Sequence, residues 1–188
     1  MIKAQMKGED RVITGLVRLS FVHLFTPRTG DNGEPDKYGV CLLIDKDDKE
    51  TVRCINKAVE AAKARGLRER WGGKMPKKLM TPLNDGDERE DGREEYAGKY
   101  YVNAKSKSRP GVVDRNCHRI MDEEEVYSGC YAVCAVSFFP YAATGNNGVG
   151  CSIDNVMKVK DGEPLAGKPA AESDFGGVEI PDDDDDDL

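Results

Sequence analysis

Lys99, Tyr101, Asn103, Lys105 and Lys107 stand at alternate positions of a stretch, 99–108, that reads as a β-strand, and Arg109 directly after it continues the alternation. Side chains on a strand alternate between its two faces, so all six share one side while Tyr100, Val102 and Ala104 take the other. One side therefore carries four cations, an amide and an aromatic ring, with no acid among them. Cations neutralise phosphates and rings stack on unpaired bases, a combination suited to single-stranded nucleic acid. The competing reading is a solvated strand face, where Lys and Ser are common.

The opposite charge is gathered at the C-terminus, in Asp182, Asp183, Asp184, Asp185, Asp186 and Asp187, followed by Leu188. Such a run has nothing apolar to bury and repels itself, so it is expected to be a mobile polyanion. To a basic groove it resembles a nucleic-acid strand. From Glu172 onward the chain holds nine of its 35 acids and none of its 28 Lys and Arg. The formal charge of −7 thus belongs to the tail, and the preceding body is close to +2. The expected organisation is one domain over 1–171 and an acidic tail over 172–188.

Catalytic and metal-binding patterns are absent. There is no P-loop, nucleophile elbow or H-E-x-x-H. The six cysteines include no C-x-x-C pair, and only His23 and His118 could complete a zinc site. Cys130 and Cys134, four apart on a strand, would be roughly 13 Å apart, too far for a disulfide. The acidic runs at 85–95 and 122–125 read as solvated loops rather than a Mg²⁺ site. No enzymatic activity and no cofactor are expected. No run approaches the roughly 18 apolar residues of a membrane helix, and the N-terminus lacks a signal-peptide core. The sequence therefore predicts a soluble, cytoplasmic protein.

The elements that must position these groups are mainly strands. Residues 11–25 read as one long strand ended by Thr26-Pro27, and 37–44 as a second, after a turn-rich loop. Asp47 and Glu50 have capping-box spacing, and Val52, Ile55, Val59 and Ala62 recur at helical intervals before Gly66. From Gly66 to Gly98 the sequence is irregular, and 85–95 is expected to be an exposed, mobile excursion. Strands resume at 99–108, 127–139 and 149–160, the last two joined by a turn at 145–148. Five or so strands with one main helix and long loops predict a small, elaborated β-barrel.

On the first strand Val17, Leu19, Phe21, His23 and Phe25 would share a face, with Arg18 on the other. Phe21 and Phe25 suit a core as well as a stacking surface, and Arg18 is the better candidate for a contact. Among the late aromatics Tyr127, Tyr131, Phe138, Phe139 and Tyr141, most read as core. Tyr141, past Pro140 at a strand end, is the candidate for exposure.

Several segments together resemble the single-stranded DNA-binding proteins of tailed bacteriophages. They are Val17 to Pro27, Lys37-Tyr38 with Asp45 to Asp48 and the helix, Tyr101-Val102-Asn103 leading to Arg109 to Asp114, Tyr127 to Tyr131, and Gly148 to Gly150 with Val156 to Glu163. The resemblance implies an OB-fold and sequence-tolerant binding of displaced strands in phage replication or recombination, in the bacterial host cytoplasm. It also implies a tail that competes with DNA and recruits replication or recombination proteins. Such tails often end in phenylalanine; this one ends in Leu188. The expected clamp comprises Lys99, Lys105, Lys107 and Arg109, with Arg18 and Arg115, on phosphates, Asn103 beside them, and Tyr101 with Phe21 or Tyr141 on bases. Homodimerisation is left open. The alternative class is an acidic protein-interaction module, such as a DNA mimic acting on a nucleic-acid enzyme; a metal-dependent nuclease is a third.

Overall fold

The computed structural model describes residues 1–165 and 171–179; Asp182 to Leu188 lie outside the described residues. In chain order the strands and helices are β1 (Gln5–Met6), β2 (Arg11–Ile13), β3 (Val17–His23), β4 (Tyr38–Asp45), α1 (Lys49–Glu69), β5 (Leu79–Met80), β6 (Leu83–Asp85), β7 (Lys99–Ser106), β8 (Gly111–Val113), β9 (Tyr131–Ala143), β10 (Asn146–Lys160) and α2 (Ala171–Phe175). The path β9-β3-β4-β7-β10 closes on itself, because β9 and β10 also form a long antiparallel hairpin. β7 and β10 meet in parallel at Lys105 and Ser152, and the other barrel pairings are antiparallel. This is the five-stranded OB-fold barrel.

Alternation builds its interior. Val17 and Leu19, Val40, Leu42 and Ile44, Val102 and Ala104, Cys134, Val136 and Phe138, and Val149, Cys151 and Ile153 are all buried in one core. A register shift between Ile153 and Asn155 keeps Val156 facing inward as well. Asp154, at that irregularity, accepts hydrogen bonds from Arg11 Nε (3.1 Å) and Ser137 Oγ (2.6 Å). All six cysteines are free thiols, and Cys117 alone is exposed.

Helix α1 begins one residue later than the capping-box spacing suggests. Asp48 is the cap, its carboxylate accepting from Thr51 N (3.1 Å) and Thr51 Oγ1 (2.5 Å). Thr51, Cys54, Ile55, Ala58, Val59, Ala62 and Gly66 form its buried stripe, which packs against β9. At Gly66 a Cβ would lie 2.6 Å from Pro140 and 2.7 Å from the Trp71 ring, so glycine sets how closely helix and barrel approach.

The single strand expected over 11–25 is in fact interrupted. Gly15 receives the helix start there: its N–H donates to Thr51 Oγ1 (2.9 Å), and an added Cβ would meet the Asp48 carboxylate at 2.7 Å. The hairpin turn is also tighter than expected, since Asn146 already pairs with Ala143. β9 runs through Pro140 instead of stopping before it. Past Phe138 its only strand neighbour among the described residues is β10, so a residue without N–H leaves no ladder bond unmade.

The 85–95 excursion is not the loose loop that its composition suggests. It lies on the outer face of the barrel, where Tyr96 is completely buried and forms a second small core with Cys41 and Leu43. Burial pushes the Cys41 thiol up to about 11. Lys46 Nζ holds Asp85 and Asp87, each at 2.6 Å, at the start of the excursion. Among the described residues, no helix is long and apolar enough to cross a membrane, and no group of three metal-ligating side chains converges.

Candidate nucleic-acid interface

The residues pointing out of β7 face their neighbours on β4 in register: Asn103 opposite Cys41, Lys105 opposite Gly39. Gly39 offers no side chain, and it lines a hollow beside Lys105. A groove of about 990 Å³ runs from here across β7 and β10, lined by Lys37, Asn84, Tyr101, Asn103, Lys105, Lys107, Phe139 and Tyr141, with Met80 at its border. A smaller hollow of about 340 Å³ shares Lys37, Asn103 and Lys105 and extends it towards β3, where Phe21, Arg28, Asp36 and Tyr38 line it. Together they form one path across the outside of the barrel.

Phe21 reaches this path through its backbone. Its φ of +48° breaks the β3–β4 register between Ser20 and His23. Left-handed backbone at a bulky aromatic residue costs of order 1–3 kcal/mol. The consequence is that Phe21 does not follow Val17 and Leu19 inward; 45% of it is exposed at the groove. The Arg93 guanidinium lies 4.8 Å from its ring centroid.

Two glycines make room for the aromatic floor at the other end. Gly150 is paired with Phe139 across β9–β10, and an added Cβ would lie 2.6 Å from the Phe139 ring. Gly148 is paired with Tyr141, and its Cβ would lie 2.8 Å from the Tyr141 hydroxyl. The two side chains therefore lie across β10, and Phe139 keeps 40% of its surface exposed. Tyr101, between the two ends, is edge-on to Tyr96 with ring centroids 5.1 Å apart, and the Arg89 guanidinium sits 5.1 Å from its ring.

The charges divide into two kinds. Arg28, Lys37, Lys105 and Lys107 make no ion pair among the described residues. They project into the groove with a single acid, Asp36, beside Arg28 and Lys37. Burial, and secondarily the charge of Arg28, holds the nearby His23 imidazole below its ordinary pKa.

Other cations expected to contact phosphate are engaged or placed elsewhere. Lys99 pairs with Asp45 at 3.1 Å, at the end of β7 remote from Lys107. Arg18 donates to the carbonyls of Gly129 (3.1 Å) and Glu163 (2.6 Å), fastening the end of β10 to β3. Arg109 turns onto the Phe25 ring at 5.3 Å. Arg115 occupies the exposed turn after β8, whose pairing with β10 lies at 155–157, beyond the segment that lines the groove.

Of the residues singled out in the sequence, the groove thus brings together Phe21, Tyr101, Asn103, Lys105, Lys107 and Tyr141. It leaves Arg18, Lys99, Arg109 and Arg115 outside. Sequence reasoning missed Arg28, Lys37, Met80, Asn84 and Phe139. For Phe139 a signal existed: it shares strand parity with Tyr141, so exposing one exposes the other. Arg28 and Lys37 flank strands, and Met80 and Asn84 lie on strands of two and three residues, too short for alternation to give a comparable signal.

Residues 10–188 match the family model described as the single-stranded DNA-binding protein of Enterobacter phage Enc34. A protein called putative protein p50, of Acyrthosiphon pisum secondary endosymbiont phage 1, is 33% identical over 162 residues, 80% of this chain and 84% of that one. Among solved structures, the single-stranded DNA-binding protein of bacteriophage Enc34 in complex with single-stranded DNA superposes with a TM-score of 0.73 at 22% identity, covering 88% of this chain and 98% of that one. The single-stranded DNA-binding protein gp2.5 of bacteriophage T7 does so with a TM-score of 0.62 at 18% identity, covering 87% and 99%. These last two likenesses support the fold, and the family match extends over almost the whole sequence. The chain belongs to the family of Enc34-type phage single-stranded DNA-binding proteins.

Proposed function

We propose that this protein is a non-catalytic, sequence-tolerant binder of single-stranded DNA, acting during phage DNA replication or recombination in the host cytoplasm. The observation that carries the reading is the groove itself, where cations that make no ion pair among the described residues alternate with exposed rings. Phe21 and Phe139, with Tyr101 and Tyr141 beside them, would stack bases, each contact worth roughly 1–3 kcal/mol. Arg28, Lys37, Lys105 and Lys107 would neutralise phosphates. Four such contacts give a slope of log K against log salt of about −3 for a single strand. Base-edge readout would be limited to a few groups such as Asn84 and Asn103, which suits tolerance of sequence.

The acidic tail competes for the same groove in this reading and, once displaced by DNA, is free to recruit a replication or recombination protein. Leu165, seven residues before the tail, packs on the small outer core of Cys41, Leu43 and Tyr96, against which Tyr101 of the groove also rests, and this proximity supports the reading.

The test is fluorescence anisotropy with a labelled single strand, comparing the full chain with a 1–171 truncation at low and high salt, with duplex as control. Salt-sensitive preference for single strands, tightened by truncation chiefly at low salt, is the expected result. Failure of both forms to bind would refute the groove; equal affinities at low salt would refute the competition.

A further inference from the structure

Between Glu69 and Asp85 this acid-rich chain has no acidic residue, but it has Arg70, Lys74, Lys77 and Lys78. None of these four makes an ion pair among the described residues. The segment is nonetheless anchored. Trp71 Nε1 donates to the Tyr141 carbonyl (3.1 Å), and β5 pairs in parallel with Asn147 and Gly148 at the tip of the β9–β10 hairpin. Lys74, Lys77 and Lys78 are all exposed, so their side chains do no packing that would explain the bias.

What the segment adjoins gives the charges a purpose. Met80 borders the groove, and it also borders a shallow hollow of about 280 Å³ between Lys77, Lys78 and the hairpin residues Asn146 and Asn147. Met80 itself is 49% exposed and lines both depressions. A polyanion lying across Phe139 and Tyr141 would meet Lys77 and Lys78 next.

We infer that the anchored basic segment 70–83 is a second DNA-contacting element, which takes up the strand as it leaves the groove over the hairpin tip. The inference rests on the proposed binding of single-stranded DNA. Crossing from β3 to β5 passes four strand spacings, about 19 Å, so the groove alone holds a short strand. The segment lengthens the contact, and only a strand long enough to pass Met80 reaches it. Oligonucleotide length therefore separates the two elements.

The experiment compares the full chain with its Lys77→Ala/Lys78→Ala variant, using strands of about 6 and about 16 nucleotides, both within the site sizes of such domains. Lys57→Ala, an exposed position on α1, serves as a control for charge alone. The expected result is a double variant whose salt slope on the long strand is shallower by about 1.4, a loss of about 25-fold at 0.1 M salt. Its binding of the short strand should match that of the parent. An equal loss on both lengths would overturn the inference by placing the lysines in the groove's general field, and so would no loss on either. If the parent chain binds neither strand, the groove reading fails and this inference fails with it.

Discussion

Gly150 offers a way to damage the proposed stacking surface without touching a ring, a cation or the core. The perturbation is Gly150→Ala. The new Cβ would stand 2.6, 2.9 and 3.3 Å from three atoms of the Phe139 ring. Those distances are too short to keep, but the ring is the free end of a side chain that is 40% exposed. It can swing off β10 at little expense to the fold. Alanine also removes the entropic penalty of glycine within a strand, about 0.5–1 kcal/mol. Stability should therefore hold or rise slightly while the platform is lost from its place. Removal of the ring in Phe139→Ala should forfeit a whole stacking contact of about 1–3 kcal/mol, about 5- to 150-fold in affinity. Displacement in Gly150→Ala should fall near the low end, about fivefold. The assay is anisotropy at fixed salt, paired with thermal unfolding and repeated at several salt concentrations. Affinity should drop with Tm and salt slope unchanged, since no phosphate contact is altered. Unchanged affinity in both variants would refute Phe139 as a stacking platform. An affinity loss matched by a fall in Tm would instead show that Gly150 serves the barrel.

Two further outcomes follow from how the charges are placed. Lys37→Ala, Lys105→Ala and Lys107→Ala should each make the salt slope shallower by about 0.7 for every sequence tested. Lys99→Ala should leave the slope alone, because its partner is Asp45; its loss forfeits an ion pair worth at most about 1 kcal/mol, read by denaturant unfolding. The lowered pKa of His23 fixes the sign of a pH effect. The unfolded chain binds a proton near pH 6.5 that the folded chain resists, so stability is full above that value and declines as pH falls through it. His23→Gln should flatten that acidic limb of the stability profile.

Where the sequence was informative, it was so through period. The strand of alternating cations placed Lys105 and Lys107 on one open face with Asn103, and Ile55, Val59 and Ala62 of the helix stripe were visible in the spacing of the apolar residues. What local pattern does not encode is which partner a side chain meets across the fold. Lys99 and Arg18 look like Lys105 in the sequence, yet Asp45 and the Glu163 carbonyl occupy them. Phe21 shows the same limit for backbone. Strand alternation sends it into the core, and a single positive φ turns it out. Tyr96 errs in the opposite direction, since a run of charged neighbours conceals a side chain that the outer sheet face buries completely.

The groove joins Phe21 and Arg28 to Lys105, Phe139 and Ser152, so almost the whole domain must fold before any of it exists. Binding and folding are then linked equilibria. A ligand that finds its site only in the native barrel stabilises that barrel by RT ln(1 + [L]/Kd), about 2.7 kcal/mol at a hundredfold excess over Kd. Barrels built from such distant pairings also close slowly, because long loops must be ordered before their contacts form. An exposed single strand would in this way act on the supply of its own binder, by holding newly closed barrels in the native state.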